Sequence, residues 1–123
     1  MNVRRHEFRI KRVYEEASSE DGRRFLVDRL WPRGVKKSAL ASVVWLKDVA
    51  PSTELRKQFN HDTARWTEFR KRYRAELKGN SAACQPLWDA IRKDNVTLLF
   101  AAKSMEINHA VVLKEFLEKN GAE

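Results

Sequence analysis

Apolar residues along this chain fall into two patterns: short continuous runs, and longer stretches with one apolar position every three or four residues. Phe25-Leu26-Val27-Asp28 and Val96-Thr97-Leu98-Leu99-Phe100-Ala101 belong to the first. They do not alternate, so they read as strands buried on both faces. Phe8 and Ile10, followed after basic residues by Val13-Tyr14, give a partly alternating first strand. Asp21-Gly22 marks a turn before the second strand, and the interval leaves no room for a full crossover helix. A hairpin between the first two strands is therefore expected. Residues 36–41 predict a helical turn or two, and Val43-Val44-Trp45-Leu46 an edge strand.

The second pattern predicts helices. Pro51-Ser52 opens one, with Ser52 as N-cap and Glu54 near the positive end of its dipole. Asp62 or Thr63 opens the next, where Trp66, Phe69, Tyr73 and Leu77 form one apolar stripe that Gly79 ends. Ser81 caps a third, with Cys84, Leu87, Trp88 and Ile91 inward, and the last runs from about Asn108 to Lys119 and stops at Gly121. Strands interleaved with helices predict a single α/β domain over residues 1–123, with a central, mostly parallel or mixed sheet of three to four strands flanked by helices. An all-helical winged-helix fold would leave the Val96–Ala101 run unexplained.

Charge narrows the partners. The chain has 123 residues and a net charge of +8, with a pI near 9.9. A field of that sign draws phosphates, nucleic acids or acidic metabolites, although it also serves solubility. Cys84 stands alone, which excludes an intrachain disulfide and a multi-cysteine zinc site. His6, His61 and His109 lack ligand spacing, so neither a metal nor a cofactor is expected. With no signal peptide and no apolar run of roughly 20 residues, a cytoplasmic protein without a membrane partner is expected. Gly-rich phosphate loops, the Gly-x-Ser-x-Gly elbow and the dinucleotide fingerprint are absent, which argues against P-loop NTPases, hydrolases and Rossmann dehydrogenases.

The candidate chemistry lies where strands end. Val27-Asp28-Arg29-Leu30-Trp31-Pro32-Arg33-Gly34, with Lys36 and Lys37 beyond it, places two forked guanidinium groups and an aromatic plane in a turn that small polar residues would ordinarily build. Ligands of open α/β sheets bind beyond the carboxyl ends of the strands. If the second strand and the Val96 strand lie parallel and adjacent, Arg29, Arg33 and Lys103 converge on an anionic ligand. Trp31 and Asn108 would join them, and the N-terminus of the last helix would add N–H donors.

Asp28 and His109 are the candidates for proton transfer, and whether any reaction is catalysed stays open. Each has a plainer role: Asp28 in an ion pair with Arg29, Arg33 or Lys103, Trp31 as a core plug, Asn108-His109 as a helix cap. Cys84, on an apolar stripe, is expected to be an inert buried thiol. An alternative function is nucleic-acid binding, in a regulatory role or not, through basic faces: Arg65, Arg70, Lys71, Arg72, Arg74 and Lys78 on one helix, extended by Arg4, Arg5, Arg9, Lys11 and Arg12.

Several motifs together resemble the YeaO-like family, a bacterial group catalogued as a domain of unknown function. They are Ile10-Lys11-Arg12-Val13-Tyr14, the Val27–Gly34 run, Trp45-Leu46-Lys47 with Ala50-Pro51-Ser52, and His61-Asp62 through Arg65-Trp66, Phe69, Tyr73 and Glu76-Leu77. Thr97 through Lys103 and Asn108 through Leu113 complete the match. The resemblance implies a cytoplasmic α/β protein with no established activity. Family members often carry an acidic residue where Ser104 stands, and wider relatives carry cysteines between the positions of Phe100 and His109. This chain has neither, so a second carboxylate and thiol or metal chemistry are not carried over.

Overall fold

The strand with the most continuous apolar run takes the centre of the sheet. A computed structural model describes residues 6–60 and 62–120. Its strands are Phe8–Arg12 (β1), Arg23–Leu26 (β2), Val44–Trp45 (β3) and Val96–Phe100 (β4), in the spatial order β1-β4-β2-β3. All pairings are parallel: Phe8 lies opposite Val96, Phe25 opposite Leu98 and Val44 opposite Phe25. All five residues of β4 are buried, whereas β1 carries Arg9 and Lys11 and suits an edge.

The expected hairpin between the first two strands does not form. Both strands pair parallel with β4, which lies between them, so the chain must return to the start of the sheet along residues 13–22. A short 3-10 turn over Ser19–Asp21 makes that return, capped by Ser18. The buried Asp21 carboxylate accepts from Ser18 N at 2.9 Å and from Lys11 Nζ at 3.1 Å, which fastens the segment across the sheet. Thr97 Oγ1 donates to the Asp21 carbonyl at 2.7 Å.

Four α-helices complete the fold: Thr53–Phe59 (α1), Trp66–Gly79 (α2), Gln85–Ile91 (α3) and His109–Asn120 (α4). Ser52 caps α1 by accepting from Leu55 N at 3.1 Å, as its sequence position predicts. Asp62 caps a 3-10 turn that leads into α2, whose buried stripe is Phe69, Tyr73 and Leu77 with Trp66 half-buried. The turn before α3 opens at Asn80 without a side-chain cap, so Ser81 does not play the expected part. His61 and Gly121, like Arg4 and Arg5, lie outside the described residues.

The two faces of the sheet are covered differently. Phe25, Val27, Val96, Leu98 and Phe100 pack against the helices, while Leu26 and Leu99 point the other way onto Val13, Leu40 and the half-buried Trp31, Val35 and Val43. Strand alternation sorts these residues between a helical layer and a loop layer. Most of the loop layer comes from the segment after β2, which carries Asp28, Arg29, Trp31 and Arg33 of the candidate site. No helix among the described residues is long and apolar enough to cross a membrane.

Candidate functional site

β2 and β4 are neighbours and parallel, so the segments that follow them leave the sheet side by side. Asp28 links the two. Its Oδ2 accepts from Ala101 N at 3.0 Å, and its Oδ1 lies 3.0 Å from His109 Nε2 at the start of α4. The same imidazole nitrogen is 3.0 Å from the Val27 carbonyl. Only the contact to Val27 is aligned as a hydrogen bond; Oδ1 is buried beside the ring without an aligned donor. A nitrogen facing two oxygens must carry the proton, which assigns the Nε2–H tautomer when the ring is neutral. Nδ1 then remains an acceptor with no hydrogen-bond partner among the described residues.

Tyr73 packs edge-on against the His109 ring, with centroids 6.3 Å apart, and donates its hydroxyl to the Val49 carbonyl at 2.6 Å. Complete burial drives the Tyr73 phenol well above its ordinary pKa, so it serves as a neutral donor. Asp28 and His109 thus meet each other. Within ion-pair distance, among the described residues, Asp28 has His109 as its partner and none of Arg29, Arg33 or Lys103.

The three candidate cations have different surroundings. Arg29 turns inward: Nε donates to the Pro51 carbonyl at 3.0 Å and one terminal nitrogen to the Ala50 carbonyl at 3.1 Å. Those carbonyls belong to buried residues just before α1, outside any helix or strand. A guanidinium fork satisfies both at once, and its other terminal nitrogen has no hydrogen-bond partner among the described residues. Arg33 and Lys103 are exposed, and their side chains have no hydrogen-bond or ionic partner among the described residues.

Trp31 is half-buried against the loop-layer core and donates Nε1 to the Val35 carbonyl at 2.7 Å, the arrangement of a plug. Asn108 is buried with both ends of its amide bonded: Nδ2 donates to the Ser104 carbonyl at 2.7 Å, and Oδ1 accepts from Val111 N at 3.0 Å. It is the cap of α4. Ser104 Oγ accepts from the backbone of Glu106 and Ile107, so this turn uses part of its own donor set.

Residues outside the candidate list also meet at this edge. Arg12, at the end of β1, donates Nε to the Ala102 carbonyl at 2.9 Å, and its guanidinium lies 4.9 Å from the Tyr14 ring centroid. Tyr14 Oη donates to the Arg33 carbonyl at 3.1 Å. Trp45, at the end of β3, donates Nε1 to the Asp28 carbonyl at 2.7 Å and meets Trp31 edge-on at 5.3 Å. In the sequence Arg12 stood only in the basic face and a family motif, and Tyr14 and Trp45 only in strand and family motifs; their position at strand ends was the signal that pointed to this edge.

The basic faces look different in three dimensions. On α2 and its lead-in, Arg65 pairs with Asp62, Arg72 with Glu68, and Arg70 and Arg74 both with Glu115. Near the N-terminus Arg9 pairs with Glu20 and Lys11 with Asp21. Cys84 is buried, which pushes its thiol up to about 11 and keeps it protonated.

A protein family described as an inactive DUF488-N3 subclade matches residues 7–123. The chain is 48% identical over 107 residues to the "Uncharacterized protein YeaO" of Escherichia coli, covering 87% of this chain and 93% of the relative. It belongs to the YeaO-like family. Within that family it is also 42% identical over 115 residues to uncharacterised proteins of Mycobacterium bovis and Mycobacterium tuberculosis, covering 94% of this chain and 97% of each relative. No solved structure matches it.

Proposed function

We propose that this YeaO-like protein binds a phosphate- or carboxylate-bearing ligand at the carboxyl edge of its sheet. Arg33 and Lys103 are the cations that meet the ligand, while Arg29 is committed to the Ala50 and Pro51 carbonyls. One contrast carries the reading. Among the described residues Arg65, Arg70, Arg72 and Arg74 around α2 and Arg9 and Lys11 on β1 are matched with carboxylates; Arg33 and Lys103, like Lys71 and Lys78, are not, but they alone of these four stand on loops leaving adjacent parallel strands. Unmatched positive charge at that edge leaves the field uncancelled where α/β sheets receive ligands.

Asp28 and His109 then act as a clasp. They tie the loop after β2 to the loop after β4 and to α4, the two loops that carry Arg33 and Lys103. The family's description as inactive favours binding over turnover, and so does an imidazole whose Nε2 is already committed to Val27.

Thermal-shift titration with pyrophosphate and citrate tests the proposal, because a ligand that binds only the native state raises Tm by mass action. Wild type should show a dose-dependent rise that Arg33→Ala and Lys103→Ala each reduce and Lys71→Ala, on α2, does not. A rise of equal size in all four proteins would remove the site from this edge, and no rise in wild type would remove the function.

A further inference from the structure

Among the described residues, the large apolar side chains left exposed are Tyr14 (48%), Leu30 (61%), Val44 (46%), Trp45 (38%) and Met105 (44%). Apart from Val44, which opens β3, they sit at or beyond the carboxyl ends of strands. Tyr14 follows β1, Leu30 follows β2, Val44 and Trp45 form β3, and Met105 follows β4. Every strand therefore delivers an exposed apolar side chain toward the edge that also carries Arg33 and Lys103, and no helix residue is among them. A site for a bare phosphate or carboxylate needs no such surface. A ligand with aromatic rings along a phosphate backbone does.

We infer that this edge binds single-stranded nucleic acid, with bases stacking on Tyr14 and Trp45 and the backbone phosphates meeting Arg33 and Lys103. The inference rests on the anion-binding reading above and names its ligand class. The two rings are held in place before any ligand arrives. Tyr14 is anchored by its bond to the Arg33 carbonyl and lies beneath the Arg12 guanidinium, itself bonded to the Ala101 and Ala102 carbonyls. Trp45 is anchored by Nε1 to the Asp28 carbonyl, buttressed by Trp31, and covered on one face by Lys47 Nζ at 5.1 Å from its centroid, which leaves the other face for a base. Rings ordered in advance lose little entropy when a base stacks on them.

Contacts run continuously from the β4 loop through Arg12 and Tyr14 to the Arg33 backbone, and from the Asp28 backbone to Trp45 and Lys47. β1, which Tyr14 follows, and β3, which Trp45 ends, are the two edges of the four-stranded sheet, three strand spacings or about 14 Å apart, a span that suits a few nucleotides of flexible strand. A duplex keeps its base faces stacked inside and offers these rings nothing.

Fluorescence anisotropy with a short labelled oligothymidylate and the matching oligouridylate tests this, using wild type, Tyr14→Ala, Trp45→Ala, Trp45→Phe and Arg33→Ala, each checked for folding by circular dichroism. The expected result is binding of the single strands that weakens as salt rises. Tyr14→Ala and Trp45→Ala should each lose roughly 5- to 150-fold in affinity, with Trp45→Phe recovering part of the loss. Inorganic polyphosphate should compete, with an affinity that the ring variants leave unchanged. A duplex of the same length binding as tightly as the single strand would overturn the inference. So would ring variants that bind oligonucleotide like wild type, or polyglutamate binding where the oligonucleotides do not; in both cases anion binding itself would stand. Binding of neither oligonucleotide nor polyphosphate would overturn both readings.

Discussion

Arg29 and Arg33 stand four positions apart in one turn and have opposite surroundings. Arg29 satisfies the Ala50 and Pro51 carbonyls, so Arg29→Ala should leave two acceptors unmatched and lower the unfolding free energy by about 1–3 kcal/mol in urea titrations. Arg33→Ala should leave stability within about 0.5 kcal/mol of wild type, as ordinary surface substitutions do. Sequence alone does not separate these two arginines, because the carbonyls that claim Arg29 arrive from a segment 21 and 22 residues away. Asp28 and His109 were both legible as candidates, yet their direct contact joins residues from opposite ends of the chain.

Asp21 supplies a pH dependence. Burial alone would raise its pKa, but the Ser18 N–H and the Lys11 ammonium outweigh that and hold it below the ordinary value of 3.8. A carboxyl depressed in the folded state contributes stability that is complete above the unfolded pKa and is lost as pH falls through the folded one. Acid titration followed by circular dichroism should therefore show wild type losing stability below about pH 4, with a shallower acid limb in Asp21→Asn.

At the scale of elements, local signals that need no distant partner were the readable ones. The Ser52 cap, the Phe69–Tyr73–Leu77 stripe and the continuous run of β4 all stand where residue spacing places them. Ser52 also donates Oγ to Glu76 at 2.6 Å, so Ser52→Ala should cost more than a simple cap, about 2 kcal/mol in urea unfolding. The hairpin expectation failed because a return of about ten residues looks local in sequence but passes across β4, the strand made last. Gly22 makes that passage possible: its φ is +64°, and an added Cβ would lie 2.1 Å from the Asn95 carbonyl oxygen. Gly22→Ala should destabilise by more than about 2 kcal/mol, measured by thermal and urea unfolding, and should shift the Tm far more than an alanine at exposed Gly79.

For the whole molecule, a net charge of +8 describes solubility better than it locates a surface. Arg65, Arg70, Arg72 and Arg74, in the densest basic run, are matched with carboxylates, so that run offers less free charge than its sequence suggests. Substituting Lys71 and Lys78 with glutamate alters net charge as much as substituting Arg33 and Lys103. Only the second pair should abolish the thermal shift produced by pyrophosphate.

Placing β4 at the centre also governs the order in which the protein can be made. β1 and β2 each have β4 as their long-range sheet neighbour, and its residues are 96–100. During synthesis the earlier three-quarters of the polypeptide must wait at the ribosome without the strand that joins its pieces, with the apolar faces of β1 and α2 uncovered. A nascent chain stalled before Val96 should be cut rapidly by protease, and one released past Leu117 should resist it.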